Sequence, residues 1–520
     1  MPLYLTQGLH RAVQQTPERV ATVFGKREQT YRQYGERVAR LAAALRTLGM
    51  DSGDRVAMLA LNSDRYLEYY FGTWWGGGAV NPVNFRWSAA EVAYSLDDCG
   101  TRILLVDDQF KGMVDELKKK CAALKTVVYV GDGDAPPGAL SYESLLADTA
   151  PMPDAGRAGS DLAGVFCTGG TTGFPKGVTL SHENLAANAL TALAEGLTHA
   201  EARALLVAPM FHLAAGALMN GNAYAGATFV MAPTFAPAGT LQLLQDQKIT
   251  HVLLVPTMIQ MVADHPDAAR YDLRSVECVL YGASVISEAV LRRAMALFSN
   301  AGFAQAYGMT ELAPIATILP PGYHTTEGPK AGKLRSAGRA TMICEVRIVD
   351  AHGREVPRGT VGEVAVRGPG VMQGYWNKPE LTANAVRDGW MHTGDGAYMD
   401  DDGFIFVVDR LKDMIVTGGE NVYSAEVENA LAQHPAVGAS AIVGIPSEQW
   451  GEAVHAVVVL KPGAQASAEQ LIAHCHTLIA GYKCPRSVEF RDALPLSGAG
   501  KVLKTELRKP FWAGRQRNVS

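Results

Sequence analysis

Over its first 330 or so residues the chain alternates short apolar runs with helical patterns, and this rhythm limits the fold more than any other feature. The runs are RVAMLAL, RILLVDD, TVVYVGD, ALLVAPM, ATFVMAP, THVLLVPT and SVECVLYG, with segments such as SHENLAANALTALAEGL between them. In YRQYGERVARLAAALRTLGM, Tyr34, Val38, Leu41, Leu45 and Leu48 recur at steps of four, three, four and three, one apolar stripe of a helix. Continuous apolar strands separated by helices predict an α/β fold: a large N-terminal domain of layered, largely parallel sheets. After about residue 338 the texture changes. ICEVRIVD, GEVAVRG and AYMDDDGFIFVVDR are β-rich, and Asp402-Gly403 suggests a hairpin turn. The expected division is an N-terminal domain over 1–409, with a small β subdomain at about 338–409, and a small mobile α+β C-terminal domain over 410–520. In the latter, SAEVENALAQH and AEQLIAHCHTLIA read as helices and EAVHAVVVL as a strand.

A length of 520 residues, 48% apolar and 19% charged, fits a globular chain of several domains. A net charge of -5 gives no cationic excess for a nucleic-acid backbone, so any anion must be met by local groups. The seven cysteines are odd in number, scattered and never spaced CxxC, which argues for a reduced, cytoplasmic setting. The N-terminus lacks a signal-type apolar core, and ALLVAPMFHLAAGALMNGN is interrupted by Pro209 and His212, so neither export nor membrane insertion is expected.

Residues 167–177, CTGGTTGFPKG, hold four glycines, three threonines and one lysine. The segment around them reads as an apolar strand, a flexible loop, Lys176, and a helix that Ser181 caps. Bare glycine amides, threonine hydroxyls and a lysine together make a phosphate cradle. It is not the GxxxxGK[ST] loop: counting from Gly170, Pro175 stands at the second glycine and Gly177 follows Lys176 where Ser or Thr belongs.

Four further stretches follow in order: YGMTE (307–311), HTGDGAYMDDDG (392–403), DRLKDMIVTGGENVYSAEVE (409–428) and PLSGAGKVLKTELRK (495–509). With the loop, they closely resemble the acyl- and aryl-CoA synthetases of the adenylate-forming superfamily, across nearly the whole chain. The resemblance implies that a carboxylate attacks the α-phosphate of ATP, pyrophosphate leaves, and the thiol of CoA then displaces AMP. It implies that Thr168, Gly169, Gly170, Thr171, Thr172, Gly173 and Lys176 hold the β- and γ-phosphates, that Thr310 touches the α-phosphate, and that Glu311 ligates Mg2+. Tyr307 and the Gly282, Ala283, Ser284 backbone would sandwich adenine, and Asp395 would take the ribose hydroxyls with Arg410 nearby. Lys501 would serve adenylation and the Gly418–Gly419 turn the thioester step, the C-terminal domain rotating about a hinge at Lys412 between them. Three departures stand out: Gly169 and Ala499 occupy positions where serine is common, and Lys504 one where arginine is usual. The hydroxyl missing at Gly169 is worth about 1 kcal/mol, too little to silence the site.

PMFHLAAGALMNG carries no acid to pair with a substrate ammonium, and neighbouring segments offer no cation for a second carboxylate. An apolar monocarboxylic acid, fatty or aromatic, is therefore expected, in a pocket of His212, Leu213, Gly216, Ala306, Gly308 and Met309, with room at Ala214 to Ala217. By resemblance His212 gates this pocket, and Trp450, Tyr482, Lys483 and Arg486 receive the CoA nucleotide. His474 and His476, about 200° apart on a helix, are not joint metal ligands. Expected substrates and cofactors are thus the acid, ATP, CoA and Mg2+, with a carrier-protein-loading ligase or a catalytically silent homologue as alternatives, and with homodimerisation left open.

Overall fold

The computed structural model describes residues 2–168, 175–498 and 500–513. Two large sheets dominate. One has nine strands, in which Val20–Phe24, Thr228–Met231, Arg203–Leu206, His251–Leu253, Cys278–Gly282 and Gly302–Gly308 are neighbours and parallel. The other has eight, with a parallel run of Leu162–Thr168, Ala79–Pro82, Arg55–Leu59, Ile103–Val106 and Thr126–Tyr129.

Side-chain alternation explains how they stack, because successive residues of a strand face opposite ways. Val56 and Met58 of one sheet, and Ala204 and Leu206 of the other, share a central core with Tyr34, Val38, Phe71, Trp74 and Leu185 from helices Tyr31–Thr47, Asp64–Trp75 and His182–Ala194. Their neighbours Ala57 and Leu59 pack outward on Val92, Leu96 and Leu117, while Leu205 and Val207 pack outward on Leu241, Ile259 and Leu291. The result is five layers, helix–sheet–helix–sheet–helix, as the alternation predicts. Strands apolar on both faces are what such burial requires.

Leu162–Thr168 is followed, after the undescribed residues 169–174, by a strand rather than a helix. Lys176–Ser181 runs antiparallel to Leu162–Thr168, pairing Thr168 with Lys176, and only then does Ser181 cap helix His182–Ala194 through a capping box with Asn184. Val178 and Leu180 are fully buried, so the short VTL run after Lys176 acts as a strand.

A third sheet, antiparallel, is built from Glu345–Val349, Gly362–Arg367, Trp390–Met399, Val386–Arg387 and Ile405–Arg410; Gly403 turns the last hairpin at φ 83°. A fourth, from Ile415–Thr417, Glu420–Val422, Val437–Ser447, Gly451–Leu460 and Ser487–Phe490, has its own core with helices Ser424–Leu431 and Ala468–His476. No helix of the described residues is long and apolar enough to cross a membrane.

Among the buried histidines, burial holds His182, His251 and His324 down to about 4. Between that value and 6.5 the unfolded chain binds protons that the native one excludes, so stability falls as pH drops through this window. At about 1.4 kcal/mol per proton and pH unit, denaturant unfolding at pH 5 should show a loss of roughly 3–6 kcal/mol against pH 7. Equal free energies at the two values would contradict the neutral burial of these rings.

Candidate active site

The C-terminal ends of Cys278–Gly282 and Gly302–Gly308 open onto one cleft, where parallel α/β sheets place ligands. Gly282 packs directly on its neighbour strand: a Cβ there would overlap the Ala306 carbonyl oxygen. The chain then turns through Ala283 at φ 68° and Ser284, leaving backbone rather than side chain as the surface. Tyr307, at the end of the adjacent strand, donates its hydroxyl to Asp395 Oδ2 at 2.8 Å. Asp395 Oδ1 meets Arg410 Nε at 2.7 Å, the two residues standing opposite each other in the third sheet. Each carboxylate oxygen still has a lone pair to spare, so Asp395 can accept further hydroxyl protons. Burial and Asp395 together push the Tyr307 phenol well above its ordinary value, keeping it a donor.

Glu311 lies one turn past this strand, in Thr310–Leu312, and is 5% exposed. Its Oε1 accepts from the Tyr375 hydroxyl at 2.8 Å, and the Lys176 ammonium stands 5.6 Å from the centre of the same tyrosine ring. The second oxygen of Glu311 makes no bond to a described residue, which suits a hard divalent cation bound through carboxylate oxygen. Tyr375 gets there by sheet pairing: Gly374–Tyr375 adds to the edge of Lys176–Ser181. Thr168, opposite Lys176, and Thr310 are half-buried beside this cluster. Gly169, Gly170, Thr171, Thr172 and Gly173 lie outside the described residues, as does Ala499.

Lys501 enters the cleft from the C-terminal unit. Its turn is closed by Ser497, whose N–H donates to the Lys501 carbonyl at 2.7 Å and whose Oγ accepts from the Lys501 N–H at 3.1 Å. The turn docks on the N-terminal layers: Arg86 donates to the Ser497 carbonyl at 2.8 Å, Thr257 lies 3.4 Å from the Gly500 carbonyl, and Gly498 packs against Asn84 and Phe211. Burial, aided by the charge of Arg410, lowers the Lys501 ammonium below the usual lysine range, opposed by Asp395 and Glu311.

His212 caps helix Leu213–Ala225, its Nδ1 accepting the Ala214 N–H at 3.2 Å. That bond leaves the proton on Nε2, and burial, with Lys501 nearby, holds the ring at about 3, neutral at any working pH. Leu213 is buried, and Ala306, Gly308 and Met309 line the strand end at half burial. The bare face of Gly216 is packed against Leu213, so the small residues of 214–217 leave less space than their size suggests.

The model of the AMP-binding enzyme family matches residues 9–376, and that of the AMP-binding enzyme C-terminal domain matches 426–501. The chain belongs to the AMP-binding enzyme family. A feruloyl-CoA synthase from an Amycolatopsis species is 40% identical over 96% of this chain and 98% of its own. A fatty acid–[acyl-carrier-protein] ligase, ScoC of Streptomyces coeruleorubidus, is 38% identical over 98% and 96%. The solved structure of the anthranilate CoA ligase AuaEII with anthranoyl-AMP matches with a TM-score of 0.91 and 26% identity over 98% of both chains. This AMP-binding enzyme is an AMP-forming acid–thiol ligase.

Other sequence-named residues stand elsewhere. Gly418 and Gly419 form an exposed turn at φ 59° and 84°, with the Trp450 ring laid on Gly418 and its carbonyl accepting the Gly418 N–H at 2.8 Å. Arg486 sits 6.0 Å from the Trp450 ring centre. Lys483 beside Tyr482 spends its charge on both oxygens of Glu426 at 2.8 Å, and Cys484 points into the core, not onto this surface. Lys504 fills a similar internal role, meeting Glu428 at 2.8 Å and Ser424. At Lys412 the carbonyl lies 3.4 Å from Arg508, which pairs with Asp413. His474 bonds the Ala430 carbonyl while His476 faces Gly481.

Sequence reasoning missed Tyr375, Thr393, which lies 3.3 Å from the Tyr307 hydroxyl, and Arg86. The Arg86 clamp is testable apart from catalysis. A charged donor to a carbonyl is worth roughly 1.5–3 kcal/mol, so Arg86→Ala should raise amide hydrogen exchange over 496–502 by about 10- to 100-fold. Unchanged exchange there would show that the contact does not hold the turn.

Proposed function

We propose that this enzyme activates an apolar monocarboxylic acid, fatty or aromatic, to its acyl adenylate with ATP and passes the acyl group to the thiol of CoA. The observation that carries this reading is the meeting of Lys501, Arg410, Asp395, Glu311 and Tyr375 in one cleft, from units far apart in sequence. Both reactants of the first step are anions. One cation at about 4 Å offsets roughly 4 kcal/mol at an effective dielectric near 20, about three orders of magnitude in rate.

Asp395 binds the ribose hydroxyls while Tyr307 and the 282–284 backbone hold adenine. Lys176, Thr168 and the glycine-threonine segment between them cradle the terminal phosphates. Glu311, oriented by Tyr375, would hold Mg2+, which neutralises phosphate charge when bound. Thr310 and Lys501 orient the carboxylate and α-phosphate so that a carboxylate oxygen attacks phosphorus as pyrophosphate leaves. His212, neutral and fixed by its helix cap, presents Nε2–H at the acyl pocket. Phe211, Leu213, Ala306 and Met309 around it are apolar and offer no ionic partner for a second charged group on the acid.

The docked Lys501 turn represents the adenylation state. Rotation about Lys412, at the boundary of an N-terminal domain (1–409) and a mobile C-terminal domain (410–520), would bring Gly418–Gly419, Trp450 and Arg486 toward the cleft for the thiol step. Carrier-protein pantetheine is the second reading for the acceptor, favoured by the similarity to ScoC. Seven free thiols fit a cytoplasmic setting.

Pyrophosphate release across fatty, cinnamic and benzoic acids, with and without CoA, tests the assignment; release with none of them would end it. Lys501→Ala should cut acyl-AMP formation at least about 1,000-fold yet spare thioester formation from supplied acyl-AMP; equal loss of both steps would refute the division of labour. Because Lys501 gives up its proton more readily than an ordinary lysine, kcat/KM for adenylation should fall on the alkaline side below pH 10.5. Lys501→Arg should move that limb upward, and an unmoved limb would assign it to another group.

A further inference from the structure

A second cluster of chemical groups sits at the opposite, N-terminal edge of the nine-stranded sheet. His199 precedes strand Arg203–Leu206, His251 begins His251–Leu253, and Glu277 immediately precedes Cys278–Gly282. These strands are adjacent, with Ala204 opposite His251 and His251 opposite Cys278. One ligand atom from each of His199, His251 and Glu277 lies within 4.8 Å of the other two. The strand is five residues long at Cys278–Gly282, so the cluster stands roughly 16 Å from the catalytic cleft.

The second nitrogens are arranged to leave this point free for coordination. His251 Nδ1 is 2.7 Å from Thr250 Oγ1, which also accepts the Arg203 N–H at 2.9 Å. In the tautomer that ligates, Nδ1 donates to Thr250 Oγ1, the Thr250 hydroxyl turns to the Arg203 carbonyl 3.5 Å away, and the lone pair of His251 is on Nε2. His199 Nδ1 is 3.5 Å from Glu201, while its Nε2 meets Glu277 Oε2 at 2.9 Å. Carboxylate or hydroxyl groups on the outer nitrogens are the usual means by which metal-binding imidazoles are oriented. His251 is 3% exposed. His199 and Glu277 are open to solvent at 43% and 56%, which gives an ion a way in.

We propose that His199 Nε2, His251 Nε2 and Glu277 bind a divalent transition-metal ion of the zinc class at this sheet edge. Two imidazoles and one carboxylate favour Zn2+, Ni2+ or Cu2+ over Mg2+ and Ca2+, which prefer all-oxygen sites. Around a tetrahedral Zn2+ at about 2.0–2.1 Å the ligand atoms stand roughly 3.4 Å apart, so small side-chain rotations close the site. The ion replaces the His199–Glu277 hydrogen bond and ties together three segments that enter adjacent strands. Its effect is on the fold and not on the reaction.

Equilibrium dialysis of the untagged, chelator-stripped full chain against Zn2+, with Mg2+ in excess, tests this. One Zn2+ per chain is expected at micromolar free metal, with a rise in Tm of a few degrees as the native state is selectively bound. His199→Ala and Glu277→Gln, both exposed and outside the cleft, should each weaken that binding at least tenfold while leaving pyrophosphate release without zinc unchanged. Co2+ substitution should give the intense visible bands of a four-coordinate ion in the wild type and not in His199→Ala. The proposal fails if no equivalent binds, or if the variants bind as the wild type does through some other set of ligands.

Discussion

A buried ammonium is the constraint on which the site depends. Lys501 is carried into the cleft by a turn of the C-terminal unit and loses its water there, a cost that Arg410 increases and that Asp395 and Glu311 only partly offset. Asp395 is already matched by Arg410, and Glu311 is turned toward Tyr375. With Lys176 beside Tyr375, Lys501 and Arg410 make three cations against these two carboxylates, so the net charge is positive where the proposed reaction needs a carboxylate and a phosphate. An anion arriving there relieves the cost, so binding of the acid and nucleotide and docking of the turn support one another.

Small structural devices keep that charge in place. The Lys501 turn is closed on itself through Ser497 and held from outside by Arg86, Thr257 and Phe211, a small set of polar and apolar contacts. Such an interface positions the side chain, and its small extent suits the proposed rotation of the C-terminal unit. The exposed Gly418–Gly419 turn under Trp450 joins two strands of the fourth sheet, in the same small unit.

Much of the fold was legible because it follows from periodicity. Apolar runs of four to seven residues can bury both faces only between helices, and the five layers are that solution. Ser181 announces its helix, and the five motif stretches name Asp395, Arg410, Glu311 and Lys501, which the fold then brings together. What escaped depends on long-range pairing. Lys176–Ser181 looks like a linker until Leu162–Thr168 and Gly374–Tyr375 flank it. Tyr375 reaches Glu311 through that edge, and Arg86 meets a carbonyl 411 positions away; neither leaves a local signal. Gly216 reads as open space in the sequence, yet Leu213 fills it.

The most direct test is a crystal structure with a non-hydrolysable acyl-adenylate analogue, an acyl sulfamate of adenosine. The account predicts both ribose hydroxyls on Asp395, adenine between Tyr307 and the 282–284 backbone, and Lys501 Nζ hydrogen-bonded to the acyl sulfamate oxygens. An analogue seated with Lys501 turned to solvent, or with its ribose remote from Asp395, would contradict it.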